Sequence, residues 1–169
     1  MKHLILVRHA KSSWKDSELD DHDRPLGKRG ERDAPFMAKI FREKEMDVDL
    51  IASSTAVRAF ETAKEFAKKL DYKKEKILRA SELYLAEAEE LLDYVKALDD
   101  DYKTVMLFGH NPAFTWFANH LTNGSIENIF TCGIVAIDFE VKSWSQVTGG
   151  EGILRFFEYP KMYLKDAED

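Results

Sequence analysis

A single cysteine, Cys132, stands among 169 residues, so no intramolecular disulfide holds this chain together, and its composition suits a reducing compartment. Proline and glycine are also sparse, at 4 and 8 copies, and no Pro/Gly/Ser-rich stretch separates one half of the chain from the other. That absence, with no internal repeat, predicts one domain over 1–169. Hydrophobic residues reach 44%, yet no run approaches the roughly 20 residues that cross a bilayer. The N-terminal apolar run is shorter than a signal-peptide core. Positive charge is short as well: 25 Lys and Arg against 31 Asp and Glu leave a formal charge of −6. A phosphate backbone is bound by an excess of cations, so nucleic acid is not the expected partner. No His, Cys and Asp fall at zinc spacing, so neither a metal nor a cofactor is expected. A cytoplasmic protein with no membrane partner is the default, its oligomeric state left open. Any site for an anion on this acidic body has to be a local gathering of cations.

What is present is an alternation of short apolar runs with amphipathic stretches. "HLILVRH", "VDLIASS", "KILRA" and "YKTVMLFGH" read as buried strands. Between them, "KRGERDAPFMAKIFREKEM" sets Ala34, Met37, Ile40 and Phe41 on one helical face, and "TAVRAFETAKEFAKKLD" does so with Ala56, Phe60, Ala63, Ala67 and Leu70. "EAEELLDYVKAL" is a third helix. "NPAFTWFANHL" is a fourth, with Asn111 as its N-cap and Pro112 at its first position. The tail, "CGIVAIDFEV" and "GILRFFEYP" about the turn-rich "SQVTGGEG", reads as an antiparallel pair. Strand–helix alternation predicts a three-layer α/β/α sandwich, with a mostly parallel sheet and an antiparallel C-terminal element.

In such sheets ligands bind beyond the carboxyl ends of the strands. Arg8 and His9 follow the first strand directly, although a buried strand tolerates charge at its tip only where something receives it. Ser53, Ser54 and then Arg58 follow the second strand, and Gly109 and His110 follow the fourth. Guanidinium forks match phosphate oxygens, and helix N-termini present free N–H donors. A neutral imidazole is a competent nucleophile toward phosphorus, and neighbouring cations keep it neutral. One histidine could therefore attack while the other donates to a phosphoryl oxygen, the arginines balancing the charge of an in-line transfer.

The stretches "LVRHAKSSW", "SSTAVRAFETA" and "FGHNPAF" together resemble the histidine phosphatase superfamily, over a span from Leu4 to about Lys161. Arg-His-Ala where many members have Arg-His-Gly, "DRPLGKRG" and the closing "FFEYPK" are most similar to its phosphohistidine phosphatase branch, the SixA type. The resemblance implies a phosphoglycerate mutase-like fold, with His9 as the phosphorylated nucleophile and Arg8, Arg58 and His110 completing a phosphate pocket. The function it implies is a metal-independent phosphatase working through a phosphohistidine intermediate, with phosphohistidine on a protein as the substrate. Two alternatives stay open. One is a small-molecule phosphomonoester phosphatase or mutase of the same superfamily, although no second basic cluster offers grip on a second phosphate. The other is a phospho-binding module without catalysis, which the presence of both histidines disfavours.

Relatives that cleave phosphoesters use a carboxylic acid to protonate the leaving alkoxide. Glu82, in "RASELY" beyond the third strand, is the positional candidate here, against the plain reading of an exposed loop glutamate. A departing imidazole that already carries a proton needs less help. Lys11 and Ser12, with Ser13, lie just past His9 and are candidates to touch the phosphate by side chain or backbone N–H. The remaining histidines read as bland: His3 exposed, His120 facing the carbonyls of a helix end, and His22 solvated in the acidic "DSELDDHDRP", a rim contact being the minor option. Trp14 reads equally as a wall of the cleft or an anchor in the core. The segments after the first, third and fourth strands carry no long insertion that would build a lid.

Overall fold

The structure is a computed structural model that describes residues 1–165. Its six strands are β1 (Lys2–Arg8), β2 (Leu50–Ser53), β3 (Leu78–Arg79), β4 (Thr104–Gly109), β5 (Ile134–Phe139) and β6 (Ile153–Glu158). Its helices are α1 (Lys28–Arg42), α2 (Val57–Lys69), α3 (Ala88–Lys96) and α4 (Ala113–Thr122). The strands form one sheet in the order β3-β2-β4-β1-β5-β6. β1 to β4 run parallel, and β5 is antiparallel to both β1 and β6.

The near-continuous apolar runs of β1, β2 and β4 are explained by burial on both faces. Successive side chains of a strand point to opposite sides. Leu4 and Leu6 join Leu50, Val105, Leu107 and Val135 in a core roofed by α3 and α4. Ile5 and Val7 join Ile51, Met106, Phe108 and Ile134 in a second core roofed by α1 and α2. Each of these side chains contributes about 1.5–3 kcal/mol by leaving water, and the two cores fix which way every strand faces. The result is the expected three-layer sandwich.

Several elements differ from their sequence reading. α1 stops at Arg42, and Glu45 takes a positive φ of 57° in the turn that follows. β3 shrinks to two exposed residues, because as an edge strand it pairs only with β2. α4 begins at Ala113, with Pro112 in the capping position instead of inside the helix. Asn111 is held outside the helix because its amide nitrogen donates to the carbonyl of Ile129 at 2.8 Å and to Asn128 at 2.9 Å. Its oxygen still caps the helix, accepting from the backbone N–H of Thr115 at 3.3 Å and from that residue's hydroxyl at 2.9 Å. His3 is half-buried, not exposed. It faces Asp138 across the β1–β5 ladder, and its Nδ1 lies 2.6 Å from that carboxylate. No helix among the described residues is long and apolar enough to cross a membrane.

Candidate active site

The register of the central strands assembles the site. Arg8 pairs with Gly109 and Ser53 with Phe108, so the next residue of each strand, His9, His110 and Ser54, emerges at the same sheet edge. The backbone N–H of His9 donates to the carbonyl of Gly109 at 3.1 Å, and that of Ser54 to Phe108 at 2.9 Å. Gly109 is required at the tip, since a Cβ there would come within 2.4 Å of the Phe114 ring. The imidazoles of His9 and His110 lie with centroids 5.1 Å apart.

His9 is almost fully buried. Its Nδ1 lies 2.7 Å from the carbonyl oxygen of Ala10. A carbonyl only accepts, so Nδ1 carries the proton and Nε2 is left with its lone pair. Thr62 locks this turn, accepting from the N–H of Ala10 at 3.0 Å and donating to the carbonyl of Arg58 at 2.8 Å. One hydroxyl thus ties the His9 loop to the first turn of α2. Burial first, then the adjacent His110 ring and the guanidiniums of Arg58 and Arg8, hold the His9 ring well below its ordinary pKa, and the Ala10 carbonyl opposes them only in part. All four residues named from the sequence therefore act on one another.

The arginines are fixed by oxygen acceptors. Arg8 donates through Nη1 to the carbonyl of Ile129 at 2.8 Å. Arg58 donates through Nη1 to the carbonyl of Asp21 at 2.6 Å and through Nη2 to its carboxylate at 2.9 Å, not to Glu61 or Glu65 of its own helix. Arg58 Nη2 also lies 3.4 Å from Nδ1 of His110, and His110 Nε2 lies 2.8 Å from the Ser54 hydroxyl. A guanidinium only donates, which assigns the His110 proton to Nε2. Burial and then the Arg58 charge lower the His110 pKa to about 3.

Asp21 is a hub that the sequence reading passed over. Its carboxylate accepts from Arg58, from Arg24 Nη2 at 3.1 Å and from the Tyr84 hydroxyl at 2.7 Å. These donors outweigh its partial burial and hold it far below the usual carboxylate range. His22 leaves solvent for the rim: its Nε2 lies 2.7 Å from the Thr55 hydroxyl and its ring packs edge-on against Tyr84. The loop over residues 9–27 is consequently folded onto α2 and Tyr84, forming a wall that its length alone did not announce. Ser12 is buried, and its hydroxyl accepts from Arg24 Nη1 at 2.6 Å, which fixes that arginine. The carbonyl of Lys11 accepts from Gly27 at 2.9 Å. Gly30 packs so close to Lys11 that a Cβ would come within 2.2 Å of that same oxygen. Trp14 is neither core nor buried wall; it is 71% exposed, with Arg24 stacked on its ring at 3.5 Å. His120 is exposed, and its ring lies against Gly149. Glu82 is exposed in the 3-10 turn Ser81–Leu83, 3.5 Å from the Ser81 hydroxyl. Burial first and the Glu82 charge second push the Tyr94 hydroxyl up to about 12. Among the described residues no hydrogen bond or ion pair joins Glu82 to Arg8, His9, Arg58 or His110. The same turn delivers the Tyr84 hydroxyl to Asp21. No group of three His, Cys, Asp or Glu among the described residues could hold a metal ion.

A nucleophilic nitrogen ringed by guanidiniums at the carboxyl edge of a parallel sheet defines a site for phosphoryl chemistry. The chain belongs to the histidine phosphatase superfamily (branch 1), whose model matches residues 4–98. An uncharacterized chloroplastic protein of Arabidopsis thaliana is 35% identical over 153 residues, covering 86% of this chain and 70% of that one. A structure from Agrobacterium tumefaciens described as a candidate phosphohistidine phosphatase SixA superposes with a TM-score of 0.79 at 25% identity, covering 94% of this chain and 98% of the other. The protein histidine phosphatase SixA complexed with tungstate gives a TM-score of 0.77 at 20% identity, with 92% and 95% covered.

The neutral rings have a measurable consequence. As pH falls through 6.5, the ordinary value, the unfolded chain protonates both histidines while the folded site does not. The unfolded state then binds more protons, so stability falls. For His110 the loss between pH 7 and pH 5 is about 2 kcal/mol, or roughly 4–8 °C in Tm for a domain of this size. Asp21 does not contribute in this window, because its stabilisation is lost only below the ordinary value of 3.8. Thermal unfolding at the two pH values is expected to show that drop, reduced by a similar amount in His110→Gln. Equal drops in both proteins would contradict it.

Proposed function

We propose that this protein is a phosphatase that takes a phosphoryl group onto His9 Nε2 and passes it to water, and that its substrate is phosphohistidine on a protein. The observation that carries the reading is the His9 ring itself, with Nδ1–H fixed on the Ala10 carbonyl and a free Nε2 lone pair among the Arg8, Arg58 and His110 side chains. In the first step the Nε2–P bond forms as the substrate N–P bond breaks. The leaving imidazole keeps the bonding pair and departs neutral, because its other nitrogen already carries a proton. His9 then bears both phosphorus and its Nδ1 proton, and the Ala10 carbonyl stabilises the resulting cation. In the second step water attacks phosphorus, the Nε2–P bond breaks, and inorganic phosphate leaves with the protons of that water. The arginines offset oxyanion charge in both steps, and His110, neutral and fixed between Arg58 and Ser54, borders them.

Two further features support the reading. The Arg58 guanidinium is held by the Asp21 carbonyl and carboxylate, 3.4 Å from His110 Nδ1, so its charge is fixed beside the two rings before any phosphoryl group arrives. Glu82 is exposed beside the Ser81 hydroxyl, and an N–P substrate needs a general acid less than an alkoxide does. The SixA proteins supply the same direction by resemblance. Phosphate release from a phosphohistidine peptide and from a panel of phosphomonoesters, with a metal chelator present throughout, tests the proposal. Faster kcat/KM on the peptide is expected. Equal or better turnover of a small ester would move the chain to the small-molecule alternative, and loss of all activity in chelator would refute metal independence.

A further inference from the structure

A second cavity, of about 280 Å³, opens beside His110. Leu83, Leu91 and Phe114 are buried in its lining, while Leu85 and Trp116 stand 78% and 60% exposed. His110 completes it, so one imidazole belongs both to the groups that surround His9 and to the wall of an apolar hollow. We propose that this hollow is a subsite for an apolar side chain lying one or two residues from the phosphorylated residue of the substrate protein. The inference rests on the protein phosphohistidine reading and specifies what such a substrate carries next to its phosphate.

Three features favour that occupant. The first is continuity: extended chain advances about 3.3–3.6 Å per residue, and the rings of His110 and His9 are 5.1 Å apart. A segment with its phosphate at His9 therefore brings a near neighbour over the hollow. The second is how the wall is built. The 3-10 turn Ser81–Leu83 sends Tyr84 to the Asp21 carboxylate at the catalytic rim, and the very next residue, Leu85, to the hollow. Leu85 adopts a φ of 57°, a backbone conformation uncommon for leucine. One turn thus sets the spacing between phosphate site and hollow. The third is charge: Glu87 is in the lining of a chain that already carries a net −6. An acidic neighbour would be repelled, whereas an uncharged apolar side chain covers Leu85 and Trp116 and removes their surface from water. The volume lies just below that of ordinary small-ligand pockets, roughly 300–1,000 Å³, which suits one large side chain and not a whole second ligand.

The test uses phosphohistidine peptides that carry Leu, Gly or Asp at the flanking positions, on the full chain and on Trp116→Ala and Leu85→Asn, the latter because asparagine tolerates a positive φ. In the unaltered protein the Leu peptide is expected to exceed the Asp peptide by about 10-fold or more in kcat/KM, mainly through KM. Both substitutions are expected to erase most of that preference, with inhibition by inorganic phosphate confirming an intact pocket. Equal kcat/KM across the three peptides, or a preference that survives both substitutions, overturns the subsite while leaving the phosphohistidine reading in place. Turnover of phosphoesters with none of any phosphohistidine peptide overturns that reading, and the subsite falls with it.

Discussion

His9→Ala is expected to release phosphate at least on the order of 10⁴-fold more slowly than the unaltered protein on any substrate it turns over. The loss is this large because His9 forms the bond to phosphorus. Without Nε2 no covalent intermediate exists, and the remaining cations can only bind. Binding should survive. The guanidiniums of Arg8 and Arg58 keep their anchors on Ile129 and Asp21, so the affinity for inorganic phosphate or tungstate should change by no more than a few-fold. Removing a neutral ring that is already desolvated also leaves no stranded charge. Mass spectrometry after exposure to a phosphoryl donor reads the same step directly, with acid-labile phosphate on the unaltered chain and none on the variant. Labelling of His9→Ala at full level would place the nucleophile elsewhere and end the mechanism as drawn. Absence of the label from the unaltered chain, with phosphate still bound, would favour a binding module over an enzyme.

Arg58→Ala should fail differently, weakening both affinity and turnover. Removal of one preorganised donor from a developing oxyanion costs about 3–4 kcal/mol, or roughly 10²–10³ in kcat/KM. Here the same guanidinium also restrains Asp21 and borders His110. The alanine variant therefore loses a phosphate contact and releases a carboxylate toward an anion pocket. Arg58→Lys keeps the charge but has no planar fork, so it cannot hold the Asp21 carbonyl and carboxylate together. It is expected to recover only part of the loss. Kinetics on the substrate and competition by inorganic phosphate separate the two effects. An unchanged phosphate affinity in Arg58→Ala would remove Arg58 from the pocket.

How much of the site was readable before folding depends on what each residue answers to. Arg8, His9 and His110 sit at the ends of apolar runs, and a strand that is apolar on both faces cannot continue through a charge. Their exit point was legible from the chain. Arg58 lies in a helical first turn after a strand, which was also legible, but its partner was not. Asp21 is 37 residues away, in an acidic loop without hydrophobic period, where any of several carboxylates could serve. Tyr84 and Arg24 meet on Asp21 for the same reason, and nothing in "RASELY" marks the tyrosine as the residue that reaches that carboxylate. Ser12 was named for its place just past His9, but its contact with Arg24 could not be read from the chain. Thr62 lay unnoticed in "RAFETA", because its importance is a pair of hydrogen bonds across two elements.

Local patterning alone settled the layers of this protein: residues alternating between two cores have one low-energy way to face, and turns between them leave the charged tips at one edge. The tautomer of His9, the partner of Arg58 and the apolar hollow beside His110 were decided only by tertiary structure. The last two depend on groups far apart in the chain, and the first on a turn at Ala10 that Thr62 locks from a distant helix; hydrogen bonds and low-dielectric electrostatics change steeply over an ångström that a linear sequence does not encode.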